Sequence, residues 1–247
     1  MSVTYFDSHC HLQNPRFAGR IPEVVARAQA AGVTHMVCCA TREADWDQVL
    51  DLAREHACIL PMLGLHPWFA GEAAAGWATR LRARVEASGA GIGECGLDFT
   101  QGRPGRAGQE AAFQTQLRLA LDLDLPLSIH CVRAWGRLVA LLRATGVPAA
   151  GGLVHAFSGS RETAAELQGL GLHLSFGYAR GEPPALTSVA GSRLLFETDA
   201  PGGAGENREP AHVVQVAAGW ARVRGAGPEL AVQVQQNARQ LFRRWLP

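Results

Sequence analysis

The sequence predicts a single (β/α)8 TIM barrel of the α/β class. Short apolar runs with the length of strands alternate with helical runs from one end of the chain to the other. The length of 247 residues suits one such barrel and is long for a β-sandwich. No linker, internal repeat or low-complexity segment divides the chain, so we expect residues 1–247 to form one domain.

Eight apolar runs have the length and composition of parallel strands that are buried on both faces. We predict these strands at residues 5–10, 35–40, 59–66, 91–96, 127–131, 152–156, 172–177 and 193–198. An open doubly wound sheet would use the same elements, but no G-x-G-x-x-G or P-loop signature follows any of the strands. The barrel is therefore the favoured topology.

Helical runs lie between the predicted strands and after the last one. We predict helices at residues 22–31, 44–56, 76–88, 109–123, 134–144, 162–170, 210–223 and 228–242. Glycine follows several of them, for example Gly89 and Gly146, where a helix normally ends. The connection between strands seven and eight is the weakest, because the segment 181–184 contains a glycine and two prolines.

Composition excludes several classes of protein. Hydrophobic residues make up 47% of the chain, charged residues 18%, and the net charge is +1, so no basic surface indicates extended nucleic-acid binding. No apolar stretch approaches the roughly 20 residues of a membrane span, and the first residues lack the features of a secretory signal. We expect a cytoplasmic protein with no membrane attachment and no obligate protein partner.

Ionisable residues recur at the ends of the predicted strands. His9 and His11 end the first strand, and alternation along a strand turns both toward the same side. Later strands end in His66, Glu94, His130, His155 and Asp199. The carboxyl ends of the strands form one mouth in this barrel, so these side chains should converge. Burying so many ionisable groups is costly unless each is paired, which favours a metal site, although any single histidine could be an ordinary core residue.

Other candidate groups fit structural roles better. Asp7 is interpreted as a supporting acid rather than a ligand, and Ser158 lacks the G-x-S-x-G context of a nucleophile. The six cysteines form no C-x-x-C pair, so we expect them to be reduced and buried. Four histidines are expected to be structural or exposed: His35, His56, His173 and His212.

Six segments in order along the chain resemble the successive motifs of the TatD family of metal-dependent hydrolases. They are DSHCH at 7–11, GLHP at 64–67, GECGLD at 93–98, IHCVR at 129–133, VHAFSG at 154–159 and ETDAP at 197–201. With a helix near 109–120 and a C-terminal segment at 237–242, the resemblance extends from about residue 5 to about residue 242. That family comprises TIM-barrel enzymes of the amidohydrolase superfamily, many of them metal-dependent deoxyribonucleases.

The resemblance implies a centre of two divalent ions. It makes six residues the ligands: His9, His11, Glu94, His130, His155 and Asp199. Glu94 would bridge the ions where related amidohydrolases use a carbamylated lysine, and this chain contains no lysine, since all 23 of its basic residues are arginines. Mixed imidazole and carboxylate ligands suit Zn, Mn, Co or Fe better than Mg, but the sequence does not decide the metal.

The resemblance also implies roles in catalysis. His66 is similar to the family histidine that lies beside the metals and contacts substrate, and Glu94 would act as the bridging carboxylate. Asp199 is our choice of general base for a water made acidic by the metals. Arg133 is a candidate for phosphate binding, with an ordinary surface arginine as the equal alternative. Asp98 is expected to support the loop after strand four.

The predicted function is metal-dependent hydrolysis of phosphodiester bonds in DNA, of the 3′–5′ exonuclease type. The first alternative is a metal-dependent hydrolase of a non-nucleic ester, amide or aminoacyl bond. The second is an inactive metal-binding relative, against which the intact set of ligands argues. Two departures from the family lie in loops that bear on the choice of substrate: a glycine-rich loop at 202–205 in place of a bulky residue, and Asn207 before rather than after an arginine. Three aromatic residues beyond strand ends could either stack on a base or pack internally: Trp68, Phe69 and Trp135.

Overall fold

Eight parallel strands form one sheet in the order β1 to β8 in this computed structural model, which describes residues 3–178, 185–203 and 205–246. Each strand pairs in parallel with the next strand along the chain. The strands are β1 Tyr5–Cys10, β2 Val33–Cys39, β3 Ile59–Leu63, β4 Gly91–Asp98, β5 Leu127–Val132, β6 Gly152–Val154, β7 His173–Phe176 and β8 Leu194–Phe196.

The first and last strands meet just beyond the end of β8. An isolated parallel bridge joins Cys10 to Ala200. The backbone N–H of Asp199 donates to the carbonyl of His9 at 3.0 Å, and the N–H of His11 donates to the carbonyl of Ala200 at 2.7 Å. These bonds close the sheet at its carboxyl end and confirm the predicted (β/α)8 barrel. They also bring Asp199 beside the two histidines of β1.

Helices follow the strands as predicted. They are α1 Ile21–Ala30, α2 Trp46–Glu55, α3 Trp77–Ser88, α4 Arg106–Leu123, α5 Trp135–Thr145, α6 Arg161–Gly169, α7 Val213–Arg224 and α8 Glu229–Leu241. Between β7 and β8 the described residues contain two short 3-10 turns, while the weak connection predicted at 181–184 lies outside the described residues. No helix in the described part of the chain is long and apolar enough to cross a membrane.

The amino-terminal end of the barrel is closed by apolar side chains. Phe242, just after α8, stacks on Phe6 at the start of β1, with ring centroids 5.5 Å apart. Both residues belong to a buried cluster that includes Val37 and Met62, and a larger cluster lies between the strands and the helices. The six cysteines are all free and buried, as predicted. Packing of this kind leaves the carboxyl end as the place where ionisable side chains gather.

Three strands are shorter than predicted at the end that carries the ionisable residues. Strands β3, β6 and β8 end two or three residues early, so His66, His155 and Asp199 follow the strands instead of ending them. The physical reason is clearest after β6, where Ala156 has a φ of 45° in the left-handed region and cannot continue an extended strand. Strand β4 instead continues two residues further than predicted, through Asp98.

Candidate metal centre

Seven side chains form one cluster at the carboxyl end of the barrel, with the buried carboxylate of Glu94 at its middle. Ligand atoms in each of three overlapping groups lie within 4.8 Å of one another. The structure thus brings together all six predicted ligands and the predicted substrate histidine: His9, His11, Glu94, His130, His155, Asp199 and His66.

One oxygen of Glu94 faces the histidines of β1. Oε2 lies 3.3 Å from Nε2 of His9 and 3.3 Å from Nε2 of His11. Asp199 completes this group, because its Oδ1 lies 3.4 Å from the same nitrogen of His11. These two imidazoles and two carboxylates form the first half of the cluster.

The other oxygen of Glu94 faces a different set of imidazoles. Oε1 lies 2.7 Å from Nε2 of His155 and 2.9 Å from Nδ1 of His130. It also lies 3.3 Å from Nε2 of His66. Glu94 therefore joins two separate groups of possible metal ligands through its two oxygens, as a bridging carboxylate would.

The position of the hydrogen on the His11 ring shows whether the group around Oε2 of Glu94 fits a metal ion. Its Nδ1 lies 2.8 Å from the carbonyl of Cys39, which can only accept, so Nδ1 carries the hydrogen. In the neutral ring Nε2 is then a lone pair that faces oxygens of Glu94 and Asp199 at 3.3 and 3.4 Å. Three acceptors at this separation repel one another unless a cation lies among them. A tetrahedral ion with bonds of about 2.0–2.1 Å holds its ligand atoms about 3.3 Å apart, so the spacing fits a divalent metal.

The electrostatics of the first group point to the same conclusion. Burial acts to lower the pKa of His11, but hydrogen bonds to Asp199 and Glu94 outweigh it and hold the pKa well above the ordinary range. Burial acts to raise the pKa of Asp199, yet the partnership with His11 lowers it to about 2. Positive charge is thus favoured among these groups, and a metal ion that binds there displaces a proton from His11.

His66 differs from the other imidazoles of the cluster. The backbone N–H of Trp68 donates to its Nδ1 at 3.2 Å, so the hydrogen of the neutral ring belongs on Nε2. Burial lowers the pKa of His66 to about 4, which keeps the ring neutral at neutral pH. Its Nε2 therefore presents an N–H to the cluster rather than a lone pair, which suits a hydrogen-bond donor to substrate better than a metal ligand.

The sequence model of the protein family described as TatD related DNase matches residues 6–243 of this chain. This chain belongs to the TatD related DNase family. The resemblance inferred from the six ordered motifs is therefore confirmed, and it extends over nearly the whole of the sequence.

Known relatives of this TatD-family chain are similar along their full length. The 3′-5′ ssDNA/RNA exonuclease TatD of Pantoea sp. (strain At-9b) is 35% identical, and the match covers 96% of this chain and 99% of that protein. The uncharacterized metal-dependent hydrolase YabD of Bacillus subtilis (strain 168) is 30% identical, with 96% and 98% covered. Among solved structures, the TatD homologue YjjV from Escherichia coli K12 is 30% identical, with a TM-score of 0.91 and 98% and 99% covered.

A cavity of about 480 Å³ opens above the cluster of the TatD-family chain. The predicted phosphate ligand Arg133 is not among its lining residues. Arg133 is exposed, and its φ of 53° turns the chain just after β5. Arg42, which sequence reasoning did not single out, lines the cavity instead. The remaining histidines, expected to be structural or exposed, all lie outside the cluster: His35, His56, His173 and His212.

The glycine-rich loop of this chain forms part of the cavity wall. Gly202 and Gly203 line the cavity, and their carbonyls accept hydrogen bonds from the guanidinium of Arg16. Gly202 has a φ of 78°, and a Cβ there would lie 2.5 Å from Oε2 of Glu206. The left-handed backbone conformation at 202 therefore favours glycine. Residue 204 of the predicted loop lies outside the described residues.

Several buried polar groups contact the side chains of the cluster or the segments that carry them. Nδ1 of His9 lies 2.9 Å from the hydroxyl of Ser128, and Nε2 of His130 lies 3.5 Å from Oδ2 of Asp98. Asp7, interpreted from sequence as a supporting acid, accepts hydrogen bonds from the backbone N–H and the hydroxyl of Thr198. Because Thr198 precedes Asp199, these bonds fix the segment that carries Asp199.

Glu197 is a supporting residue that sequence reasoning missed. It is fully buried, and its Oε1 lies 3.4 Å from Nδ1 of His155 and accepts the backbone N–H of Ala156 at 2.7 Å. Hydrogen bonds of this kind fix the tautomer and orientation of a metal-binding imidazole. The signal in the sequence was an acid two residues before Asp199 in the segment ETDAP.

We expect Glu197→Gln to weaken divalent-metal binding by about 10- to 100-fold, because the charge that orients His155 is removed while the side-chain shape is kept. Titration of the metal-stripped protein against a competing chromophoric chelator measures the affinity. Glu55→Gln is the matched control, since Glu55 is exposed at the end of α2. Equal affinities in the two variants would contradict a role for Glu197 in holding His155.

Proposed function

We propose that this chain is a divalent-metal-dependent phosphodiesterase that removes nucleotides from the 3′ end of single-stranded DNA or RNA. The observation that carries the proposal is the position of Glu94, whose two oxygens each face a separate set of imidazoles at 2.7–3.3 Å. Two ions bridged by one carboxylate are the arrangement that many phosphodiester hydrolases use.

The proposed ligands divide between the two oxygens of Glu94. One ion would be held by Oε2 with His9, His11 and Asp199, and the other by Oε1 with His130 and His155. A bound divalent ion supplies polarisation of the phosphoryl group and lowers the pKa of a water molecule. Imidazole nitrogens with carboxylate oxygens suit Zn²⁺, Mn²⁺, Co²⁺ and Fe²⁺, and Mg²⁺ prefers more oxygen ligands.

The protein groups have distinct roles in this proposal. Asp199 is the proton acceptor, because its side chain is 33% exposed to the cavity whereas that of Glu94 is 3% exposed. A carboxylate at this position accepts the proton of the attacking water and passes it toward the leaving oxygen. The Nε2–H of His66 donates to an oxygen of the phosphoryl group, where negative charge increases in the transition state.

Relatives and composition support an end of a nucleic acid as the substrate. Relatives that are 32–35% identical over 96% of this chain are named 3′-5′ ssDNA/RNA exonucleases. A net charge of +1 does not favour binding along an extended backbone, and a cavity of about 480 Å³ is the size of a small-ligand site. Both features suit an enzyme that holds a few terminal nucleotides.

Digestion of labelled nucleic acid tests the proposal. We expect the metal-stripped protein, restored with Mn²⁺, Mg²⁺ or Zn²⁺ in turn, to shorten 5′-labelled single strands progressively from the 3′ end. Duplex DNA should be shortened more slowly. Asp199→Asn is the control for contamination, because it removes the proposed proton acceptor and should remove the activity.

The contrary result is equally informative. A protein that has bound its metals but leaves DNA and RNA intact would contradict a nuclease and favour another ester, an amide or an aminoacyl bond as the substrate. A protein that fails to bind divalent metals would contradict the metal centre itself.

A further inference from the structure

Trp68 is an exposed aromatic residue on the wall of the cavity. Its side chain is 39% exposed, and it lies two residues after His66 in the turn that follows β3. Among the described residues only two other large hydrophobic side chains are as exposed, Tyr178 and Val232. An indole that borders the cavity and is partly exposed is a candidate contact for a substrate.

Trp68 is held in one orientation by a buried acid. Its indole N–H donates to Oδ2 of Asp98 at 2.5 Å, and Asp98 is only 2% exposed at the end of β4. The other oxygen of Asp98 accepts the backbone N–H of Thr100 at 2.9 Å, which fixes the carboxylate in turn. A ring that is already ordered loses little conformational entropy when a ligand binds to it.

Arg103 covers one side of the indole. Its guanidinium carbon lies 3.6 Å from the centroid of the Trp68 ring, and its Nε lies 3.8 Å from Oδ2 of Asp98. Arg103 is not among the residues that line the cavity, whereas Trp68 is. The cavity therefore borders a part of the indole that the Arg103 guanidinium does not cover.

The indole lies close to the metal cluster. Its ring is 4.8 Å from that of His66 and 6.4 Å from that of His130, measured between centroids. A base that stacked on Trp68 would therefore have its own phosphodiester near these imidazoles. Trp135, by contrast, packs on Phe157 at 4.9 Å and does not line the cavity.

We propose that Trp68 is the stacking surface for the base of the nucleotide whose phosphodiester lies at the metal cluster. This inference rests on the proposed function. Every base has a π-face, so stacking would accept DNA and RNA ends of any sequence. A base that is paired in a duplex already stacks on its neighbours, so the same contact selects an unpaired end.

Binding by the metal-loaded protein tests the proposal without relying on cleavage. The ligand is a single DNA strand of five nucleotides with a fluorophore at its 5′ end. Methylenephosphonate groups, which cannot be hydrolysed, replace the two phosphodiester linkages nearest its 3′ end. A second strand has the same backbone but lacks the two bases at its 3′ end. Fluorescence anisotropy gives the Kd of each strand for the wild type, Trp68→Ala, Trp68→Phe and the control Trp135→Phe.

We expect Trp68→Ala to raise the Kd of the complete strand about tenfold or more. The base-free strand should bind the wild type and Trp68→Ala equally, because the partner of the indole is missing. Trp68→Phe keeps a ring and should lose less than Trp68→Ala, and Trp135→Phe should match the wild type. Equal losses on both strands would overturn the proposal, as would unchanged affinity in Trp68→Ala or a wild type that binds neither strand.

The outcomes separate this inference from the proposed chemistry. The protein could bind the test strand with a Kd that depends on Trp68 and yet cleave no ordinary single strand. That result would support the stacking role of Trp68 and contradict the phosphodiesterase. Cleavage of ordinary strands together with a Kd that does not depend on Trp68 would support the phosphodiesterase and contradict the stacking role of Trp68.

Discussion

Replacement of Glu94 by glutamine is expected to reduce kcat/KM for phosphodiester hydrolysis by about a thousandfold or more. Burial acts to raise the pKa of Glu94, but the surrounding imidazoles hold it well below the ordinary range, so the residue is a carboxylate at neutral pH. A neutral amide cannot bridge two cations with two anionic oxygens. The polarisation that divalent ions supply amounts to several kcal/mol, and each 1.36 kcal/mol is tenfold in rate.

Metal content distinguishes a bridging Glu94 from an ordinary ligand. Elemental analysis of purified protein should find both ions lost or weakened in Glu94→Gln, because each oxygen of the residue binds one ion in the proposed centre. Asp199→Asn should affect one ion, since Asp199 contacts only the Oε2 group. Loss of a single ion in Glu94→Gln would show that Glu94 does not bridge, and activity within tenfold of the wild type would contradict its catalytic role. Glu55→Gln is the surface control for the same substitution.

The barrel could be predicted because its elements leave local signals. Apolar runs buried on both faces are hydrophobic throughout, and glycines mark helix ends such as Gly89, which has a φ of 71°. Strand ends were predicted less well. Ala156 keeps the composition of a strand, but its φ of 45° leaves the extended conformation, and its N–H donates to Glu197, 41 positions later in the chain. Local sequence does not contain that information.

The membership of the cluster could also be predicted, since each candidate lies late in its predicted strand or just after it. The roles of the individual atoms could not. That His66 presents an N–H follows from one backbone hydrogen bond, and that Glu197 orients His155 follows from packing between β6 and β8. Arg133 was an attractive candidate because it follows His130 closely, but it is exposed and does not line the cavity. Arg42 comes from a loop with no motif.

Gly96→Ala is expected to lower the free energy of unfolding by about 3 kcal/mol and to inactivate the protein. Gly96 lies in β4 with a φ of 143° and pairs with His130 of β5. A Cβ at this position would lie 2.0 Å from the carbonyl oxygen of His130, so β4 and β5 cannot keep their spacing. A strained backbone and an overpacked core each cost about 1–3 kcal/mol. Glu94 and His130 would move with their strands, and the metal ligands would separate.

Thermal unfolding with a matched substitution isolates the cause. For a chain of this size a loss of about 3 kcal/mol lowers Tm by roughly 10 °C. Gly219→Ala makes the same chemical change inside α7, where a Cβ would meet nothing within 4 Å. There the exchange should stabilise the protein by about 0.5–1 kcal/mol, because alanine is the better helix former. Opposite signs would attribute the cost at Gly96 to the close approach of β4 and β5. A Tm for Gly96→Ala equal to that of the wild type would contradict the predicted loss of stability.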